Sequence, residues 1–591
     1  MSEEKAQQSI WHRYRRDILW IPLASLLWSL LWFIPILRAT YTEEKSILGS
    51  LYEVFFHQSE SEMLVGKGVD LLGSFWMVEQ VRAMVMENGG TKLKTMYAPF
   101  GFDLGENTGY AWADALLGVP LAEWLGVPGF WNLHVLGVCT LSMMGLTILF
   151  RSLSLPLLCA LPLAFLCFTN PFMIDELNLG RPTQISIWPL ALLIALFIRQ
   201  QRKGFVPWHG IPVGICMALS CLTYWFTGIA MGVCMGLLFV YLFVRSEHKK
   251  QGLAFGLISL CTTFAIVLPI TWDMTSRLLK GRGSHSFTKL LGKPDHTYSW
   301  FSLDLQTEYS ISSWSDAVYV FKASCQLLPF FIAIVVCTLL PQGRRQKWFW
   351  FVLWFFTLGM SLSSGLNIFG VHIPTGLAVL EWIFPPMLRC QFEGRNVVVA
   401  NMIGFVIVGY TLKELLFTGE KTGTRIWWVK HALCVLLWGY ALTMLPTQKS
   451  LASTKFIPNM ALAETLKASP GGVIEFPLFA SNYTYVQQIY HKQPIFGGMG
   501  FDTVRPSKHV RYARTHPGIK AIKNVYETGY FNRVLSKKER RFFVEDGFPW
   551  IVIYPAKNQT PFRTWEHFLG VPGVEISEDV WVFFLDGTTQ K

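Results

Sequence analysis

Eleven mostly apolar stretches, several near twenty residues long, recur along this chain with short basic tracts between many of them. A hydrocarbon core roughly 30 Å thick takes about 20 helical residues to cross. The stretches fall at 18–37, 133–150, 155–168, 185–198, 211–226, 228–244, 253–272, 327–340, 348–362, 397–417 and 426–445. Such clustering excludes a disordered chain, a coiled coil and a single soluble globule. Composition agrees: charged residues are 15% and hydrophobic residues 52%, against about 25% charged in ordinary soluble domains. Eleven crossings use roughly 220 residues, so more than half of the 591 are left for loops and a soluble part.

The net charge of +12 invites a nucleic-acid reading, but the basic residues sit beside apolar runs, where Lys and Arg set orientation. His12, Arg13, Arg15 and Arg16 precede the first run. That run is too long for a signal-peptide core and no small-residue cleavage site follows it. It reads as a retained helix with a cytoplasmic N-terminal segment, 1–17. RQQRK at 199–203, RSEHKK at 245–250, GRRQK at 343–347 and GEKTGTR at 419–425 alternate with acidic, neutral or long connections. The pattern predicts eleven spans, the N-terminus inside and the C-terminus outside. Residues 18–446 then form a transmembrane domain with long outer loops at 38–132, 273–323 and 367–396.

After Pro446 charged residues return and apolar runs shrink to strand length. GVIEFP, WIVIYP and VWVFFL read as buried strands. Residues 460–467, 482–490 and 536–546 read as helices. The tail, 447–591, is expected to be an extracytoplasmic α/β domain. Most of the eleven cysteines, Cys139, Cys159 and Cys167 among them, lie in apolar runs, where Cys acts as a small hydrophobe. None follows Cys434, so the tail has no disulfide framework, and no spacing suits zinc.

Candidate site residues lie in the outer loops. Asp70 opens a helical stretch at 71–86. It is either a first-turn acid that complements the helix dipole or a base aimed at a hydroxyl. Glu79, nine residues on, falls on another azimuth. Glu43 and Glu44 follow the first span and are either a metal or base site or, the commoner case, a solvated loop start. Asp103 and Glu106 occupy a Gly-rich turn, which suits Asp by itself. The segment 112–131, broken by Pro120 and Pro128, is expected to lie at the interface or re-enter. NPFMIDELNLGRPTQ at 170–184 places Asp175, Glu176, Arg181 and Gln184 at the membrane boundary, where polar groups either face water or mark a site. Arg181, Arg389 and Arg395 either snorkel to headgroups or grip a phosphate diester with the guanidinium fork. N-Y-T at Asn482 and N-Q-T at Asn558 match the glycosylation triplet. No P-loop, dinucleotide fingerprint, zincin motif or nucleophile elbow is present. Lys413, Glu414 and Lys430 lie near span ends, so the spans lack the buried charges of an ion-coupled pump.

GVDLLGSFWMVEQ at 68–80, APFGFDLGEN at 98–107 and ADALLGVPLAEWLGVPGFWNLHVL at 113–136 follow one another in a familiar order. NPFMIDELNLGRPTQISIWPLALL at 170–193, FPPMLRCQFEGRNVVV at 384–399, LAETLKASPGGVIEFPL and HKQPIFGGMGF continue it. In this order the chain resembles bacterial membrane glycosyltransferases of the GT-C superfamily, in particular the uncharacterised YfhO-like members with a C-terminal outer domain. The resemblance implies a polytopic α-helical membrane protein with about eleven transmembrane helices and that outer α/β domain, placed in a bacterial inner membrane. It implies a polyprenyl-phosphate-linked sugar as donor and an envelope polysaccharide, lipid or protein as acceptor, with inversion at the anomeric carbon. Asp70 would be the catalytic base, and Arg181, Arg389 and Arg395 would bind the donor phosphate. Glu79, Asp103, Asp175, Glu176 and Gln184 would be substrate-binding residues. No metal ligands are assigned; some GT-C enzymes use a divalent cation and others none. Two other readings stand beside it: a non-catalytic scaffold or lipid-binding protein of envelope assembly, and a lipid flippase or transporter.

Overall fold

The computed structural model describes residues 3–34, 54–55, 62–87, 92–104, 111–126, 129–279, 309–311, 328–340, 344–361, 365–368, 371–375, 396–417, 423–443, 452–456, 459–477, 482–497, 507–530, 533–555 and 561–586. The chain forms two compact units. The first comprises Met1–Phe56, Gly109–Leu117 and Asn132–Ser453; the second His57–Thr108, Gly118–Trp131 and Thr454–Lys591. The second unit thus takes in chain from the first long loop as well as the tail.

Every apolar run of the sequence lies on a helix of the first unit. In order these are Glu3–Trp32, Phe130–Ser152, Leu157–Phe168, Trp188–Lys203, Gly210–Thr223, Trp225–Arg245, Lys249–Leu279, Leu328–Leu339, Arg344–Met360, Val397–Phe417 and Gly423–Thr443. A helix satisfies its own backbone donors and acceptors, which an apolar solvent cannot do. Among the described residues, five helices are long and apolar enough to cross a membrane: Phe130–Ser152, Pro182–Lys203, Trp225–Arg245, Lys249–Trp272 and Val397–Leu415. A sixth results if Leu157–Phe168 and Phe172–Asn178, bent by 61°, make one span. The apolar helices Asp17–Trp32, Lys347–Met360 and Cys434–Thr443 are shorter. A single extended residue, Tyr224, separates Gly210–Thr223 from Trp225–Arg245. Strands from the second and third long loops pair: Tyr309–Ile311 runs parallel to Gly365–Ile368, which is antiparallel to Val371–Pro374.

Several charged groups in this unit are paired. Arg151 closes the helix Phe130–Ser152 and holds Asp17 through Nε at 3.0 Å. Glu414, expected to reach the interface from a span end, instead approaches buried Lys347 at 3.4 Å. Close helix contact comes from small residues. A Cβ on Gly214 would stand 2.5 Å from the Ser259 carbonyl oxygen, and one on Gly210 would stand 2.7 Å from that of Phe255. These glycines, one turn apart, let Gly210–Thr223 lie against Lys249–Leu279, as small residues do between membrane helices.

The second unit is built on four strands: β1 Val473–Phe476, β2 Trp550–Ile553, β3 Gly573–Ser577 and β4 Val580–Phe584. Their order is β3-β4-β2-β1, with β1 and β2 parallel and the rest antiparallel. The parallel pair needs a crossover, supplied by helices between Asn482 and Glu545. Ile474, Phe476, Ile551, Ile553, Trp581 and Phe583 pack with Ile519, Ile522, Phe543, Trp565 and Phe568 in one core. The helix Lys537–Glu545 starts with a capping box of Ser536 and Glu539. Arg533 beside Glu539 holds that carboxyl down to about 2.

The first-loop chain in this unit is stitched to the tail. Strand Glu62–Val65 pairs with Ser453–Phe456. The Ile495 amide donates to Thr95 O at 2.8 Å, the Ala98 amide to Ile495 O at 3.1 Å and the Tyr97 amide to Gly497 O at 3.0 Å. The Phe496 amide donates to Val473 O at 2.8 Å, so residues 494–497 lie between β1 and residues 95–98. Ala98 reaches the core.

Candidate functional site

Asp70 lies in the second unit, at the start of helix Val69–Met86. Gly68 opens that helix at φ +80°, a left-handed conformation that glycine takes readily. Gly68 carries no capping side chain, so the negative group nearest the helix start is Asp70 in the first turn. A carboxylate there is favoured by the positive end of the helix dipole. Asp70 is half-buried.

Farther along the helix Glu79 is only 2% exposed. Its oxygens accept from Arg82 Nε at 2.8 Å and Nη2 at 2.9 Å, and Lys492 approaches at 3.3 Å. Arg82 also reaches Glu87 at 2.9 Å and Glu123 at 3.0 Å; these carboxylates, Glu79 first, push its guanidinium above the usual range. Gln80 Nε2 donates to Gln488 Oε1 at 3.2 Å. Glu79 and Gln80 therefore join the helix to the segment carrying Gln488 and Lys492. Both carboxyl oxygens of Glu79 are thus engaged within the unit. Asp103 is half-buried on the short strand Phe102–Asp103, paired with Lys92 of Lys92–Leu93.

The other described candidates lie in the first unit. Asn170 caps the helix Pro171–Asn178, its Oδ1 accepting from the Met173 amide at 3.1 Å, with Pro171 in the first position. That pairing follows from sequence: Asn favours the cap and Pro the first turn. Asp175 faces outward and Glu176 is buried. The chain turns at Gly180, φ +69°. The turn brings Arg181 back: its amide donates to Glu176 O at 3.0 Å and its Nη1 to Glu176 Oε2 at 3.0 Å. Arg181 is 6% exposed and Glu176 3%. Gln184 is half-buried and accepts from Thr183 Oγ1 at 3.1 Å. The structure thus joins Glu176 with Arg181. Asp70 belongs to one unit and Arg181 to the other. Arg389, Arg395, Glu43, Glu44 and Glu106 lie outside the described residues.

One pair escaped the sequence reading. His134, near the start of Phe130–Ser152, places Nε2 3.4 Å from Oδ2 of Asp114, in the first turn of Trp112–Leu125. Both are 2% exposed, and Asp114 Oδ1 has no hydrogen-bond partner among the described residues. The signal was an acid and a histidine inside otherwise apolar stretches, a placement that costs free energy unless it serves a purpose. Among the described residues, no three His, Cys, Asp or Glu side chains converge as a metal site would need.

No family model matches the sequence, and no curated protein matches it. Solved structures do match. The oligosaccharyltransferase AglB of Archaeoglobus fulgidus, in complex with an inhibitory peptide and a dolichol-phosphate, superposes with TM-score 0.50 at 11% identity, over 91% of this chain and 69% of its own. The arabinofuranosyltransferase AftD from Mycobacteria gives TM-score 0.50 at 11% identity, over 96% of this chain and 41% of its own. ArnT from Cupriavidus metallidurans gives 0.47 at 12%, over 96% and 98%. With its membrane-length apolar helices, the chain is an integral membrane protein that shares the fold of AglB and AftD.

Proposed function

We propose that the protein moves a sugar from a polyprenyl-phosphate-linked donor to an acceptor on the outer face of a bacterial inner membrane. The observation that carries this reading is the shared fold: 91% of the chain superposes on an oligosaccharyltransferase whose structure holds a dolichol-phosphate. In the proposed reaction Asp70 takes the proton of an acceptor hydroxyl. The freed oxygen attacks the anomeric carbon opposite the leaving group and inverts it. The bond to the phosphate oxygen breaks, and the electron pair leaves with the phosphate. Arg181, Arg389 and Arg395 stabilise that charge, as preorganised cations do, and Glu176 orients the Arg181 guanidinium. Asp175 and Gln184 contact the sugar or acceptor. A divalent cation requirement is open to direct test with a chelator. The same reading has eleven spans, a cytoplasmic N-terminus and an outer α/β domain over 447–591.

Asp70→Asn keeps the shape and removes the base. In membranes given radiolabelled polyprenyl-phosphate sugar, transfer should fall roughly a hundred- to ten-thousand-fold, the range for a general base. Unchanged transfer would remove Asp70 from the mechanism. Absence of transfer by the wild type across a broad set of donors would favour the scaffold reading. Comparing the lipids and glycans of a deletion strain with its parent would name the sugar and the acceptor.

A further inference from the structure

Two sulfur atoms meet within the first unit. Cys159 belongs to Leu157–Phe168 and Cys434 to Gly423–Thr443, and their Sγ atoms are 3.1 Å apart. A disulfide bond is about 2.05 Å long, so closure takes a movement of roughly an ångström. Three further contacts set the register of the two helices. Trp438, one turn past Cys434, donates Nε1 to Leu158 O, beside Cys159, at 2.8 Å. Its ring lies 5.5 Å from Trp28, and Trp28 lies 4.4 Å from Phe165 on the Cys159 helix. Cys159 is buried and Cys434 half-buried. The other seven described cysteines are free, and none of them comes within hydrogen-bonding reach of a second sulfur among the described residues.

We propose that Cys159 and Cys434 form a disulfide when the bilayer supplies a two-electron oxidant. The oxidant is a lipid-soluble quinone. Two S–H bonds break and one S–S bond forms; the two protons and two electrons pass to the quinone, which leaves as the quinol. The cross-link fastens the last membrane helix to Leu157–Phe168. That helix runs through the 61° bend into Pro171–Asn178, which carries Glu176, the partner of Arg181. Oxidation therefore tethers the element that positions the buried ion pair, whatever reaction the protein performs.

The test uses the full chain in lipid nanodiscs, treated with a short-chain, fully ring-substituted benzoquinone, which has no open ring carbon to arylate a thiol, and in parallel with copper–phenanthroline, then denatured and alkylated. Peptide mapping without reductant should show Cys159 and Cys434 in one linked species, lighter than the two free peptides by two hydrogens. Alkylation at both should drop at least fivefold while that at Cys216 is unchanged. Cys434→Ser should abolish the species and return Cys159 to the alkylated pool. Trp438→Phe, which keeps both thiols, should slow cross-linking severalfold. Full alkylation of both cysteines after oxidation, pairing of Cys159 with another cysteine, or an unchanged rate in Trp438→Phe would overturn the proposal.

Discussion

Glu176 and Arg181 hold opposite charges where little water reaches them, and that sets what their removal does. Taking away one partner of a buried pair destabilises by roughly 3–5 kcal/mol, because the other charge is stranded, whereas replacing both is often close to neutral. Glu176→Gln should therefore lower the thermal midpoint in detergent sharply, and Glu176→Gln with Arg181→Met should recover most of the loss. A double variant no better than the single one would mean the two are not coupled. A second expectation concerns His491, 1% exposed in the second unit. Its Nδ1 accepts from the Gln493 amide at 3.0 Å, and burial, with Lys467 nearby, pushes it down to about 3. The unfolded imidazole titrates near 6.5. Between those values the unfolded chain binds a proton that the folded one refuses, so stability is full above about 6.5 and falls as pH drops toward 3. Burial pushes His516 in the same direction. Protection factors against hydrogen exchange at Val473–Phe476, corrected for the slower intrinsic exchange at low pH, should fall from pH 7 to pH 5 more in the wild type than in His491→Asn; equal slopes would exclude His491 as a source. At this scale the sequence exposed residue types but not partners. Polar groups at 170–184 were legible as a cluster between two apolar runs. Their pairing depends on a turn at Gly180, and Asp114 meets His134 across a helix break, which no local periodicity reports.

Elements were more readable, and for a physical reason. A long apolar run in lipid has few structures open to it, so every run became a helix. The ends moved because helices extend into polar flanks, as Glu3–Trp32 and Lys249–Leu279 do. The strand segments at 473–476, 550–553 and 580–584 showed themselves through short, nearly continuous apolar runs. Ser507–Thr515, Pro517–Thr528 and Phe562–Leu569 were not read from the sequence. Strand β3 escaped because it has hardly any buried face. Helix contact in the membrane unit yields a sharp expectation. A methyl at Gly214 would also stand 2.6 Å from Thr262 Cβ, while one at Gly137 meets nothing within 4 Å. Overpacking of this kind destabilises by about 1–3 kcal/mol. Gly214→Ala should lower the melting temperature in detergent and Gly137→Ala should leave it level or raise it; equal behaviour would show that the close approach does not hold in the membrane.

For the whole molecule, the charge pattern expects the N-terminal segment and the tail on opposite sides of the bilayer. Tyr530, 82% exposed, is a suitable reporter: in a cysteine-free background, Tyr530→Cys should react with an impermeant maleimide on intact cells, and Ser2→Cys only after permeabilisation. Labelling of both from outside would defeat the orientation. The change in composition after Pro446 was readable, but the tail's use of the first loop was not, since backbone hydrogen bonds such as that between Ile495 and Thr95 leave no mark in side-chain pattern. That stitching has a consequence for how the protein is made. Residues 62–104 leave the ribosome some 350 residues ahead of the strands that complete them, a lag of roughly tens of seconds at 5–20 residues per second. Through that interval Leu64, Val65 and Ala98 have no finished core to enter. The nascent chain must wait, half assembled, until its far end has been made, so a truncation that spares every helix of the first unit would still orphan residues 62–104 and hand them to quality-control proteases.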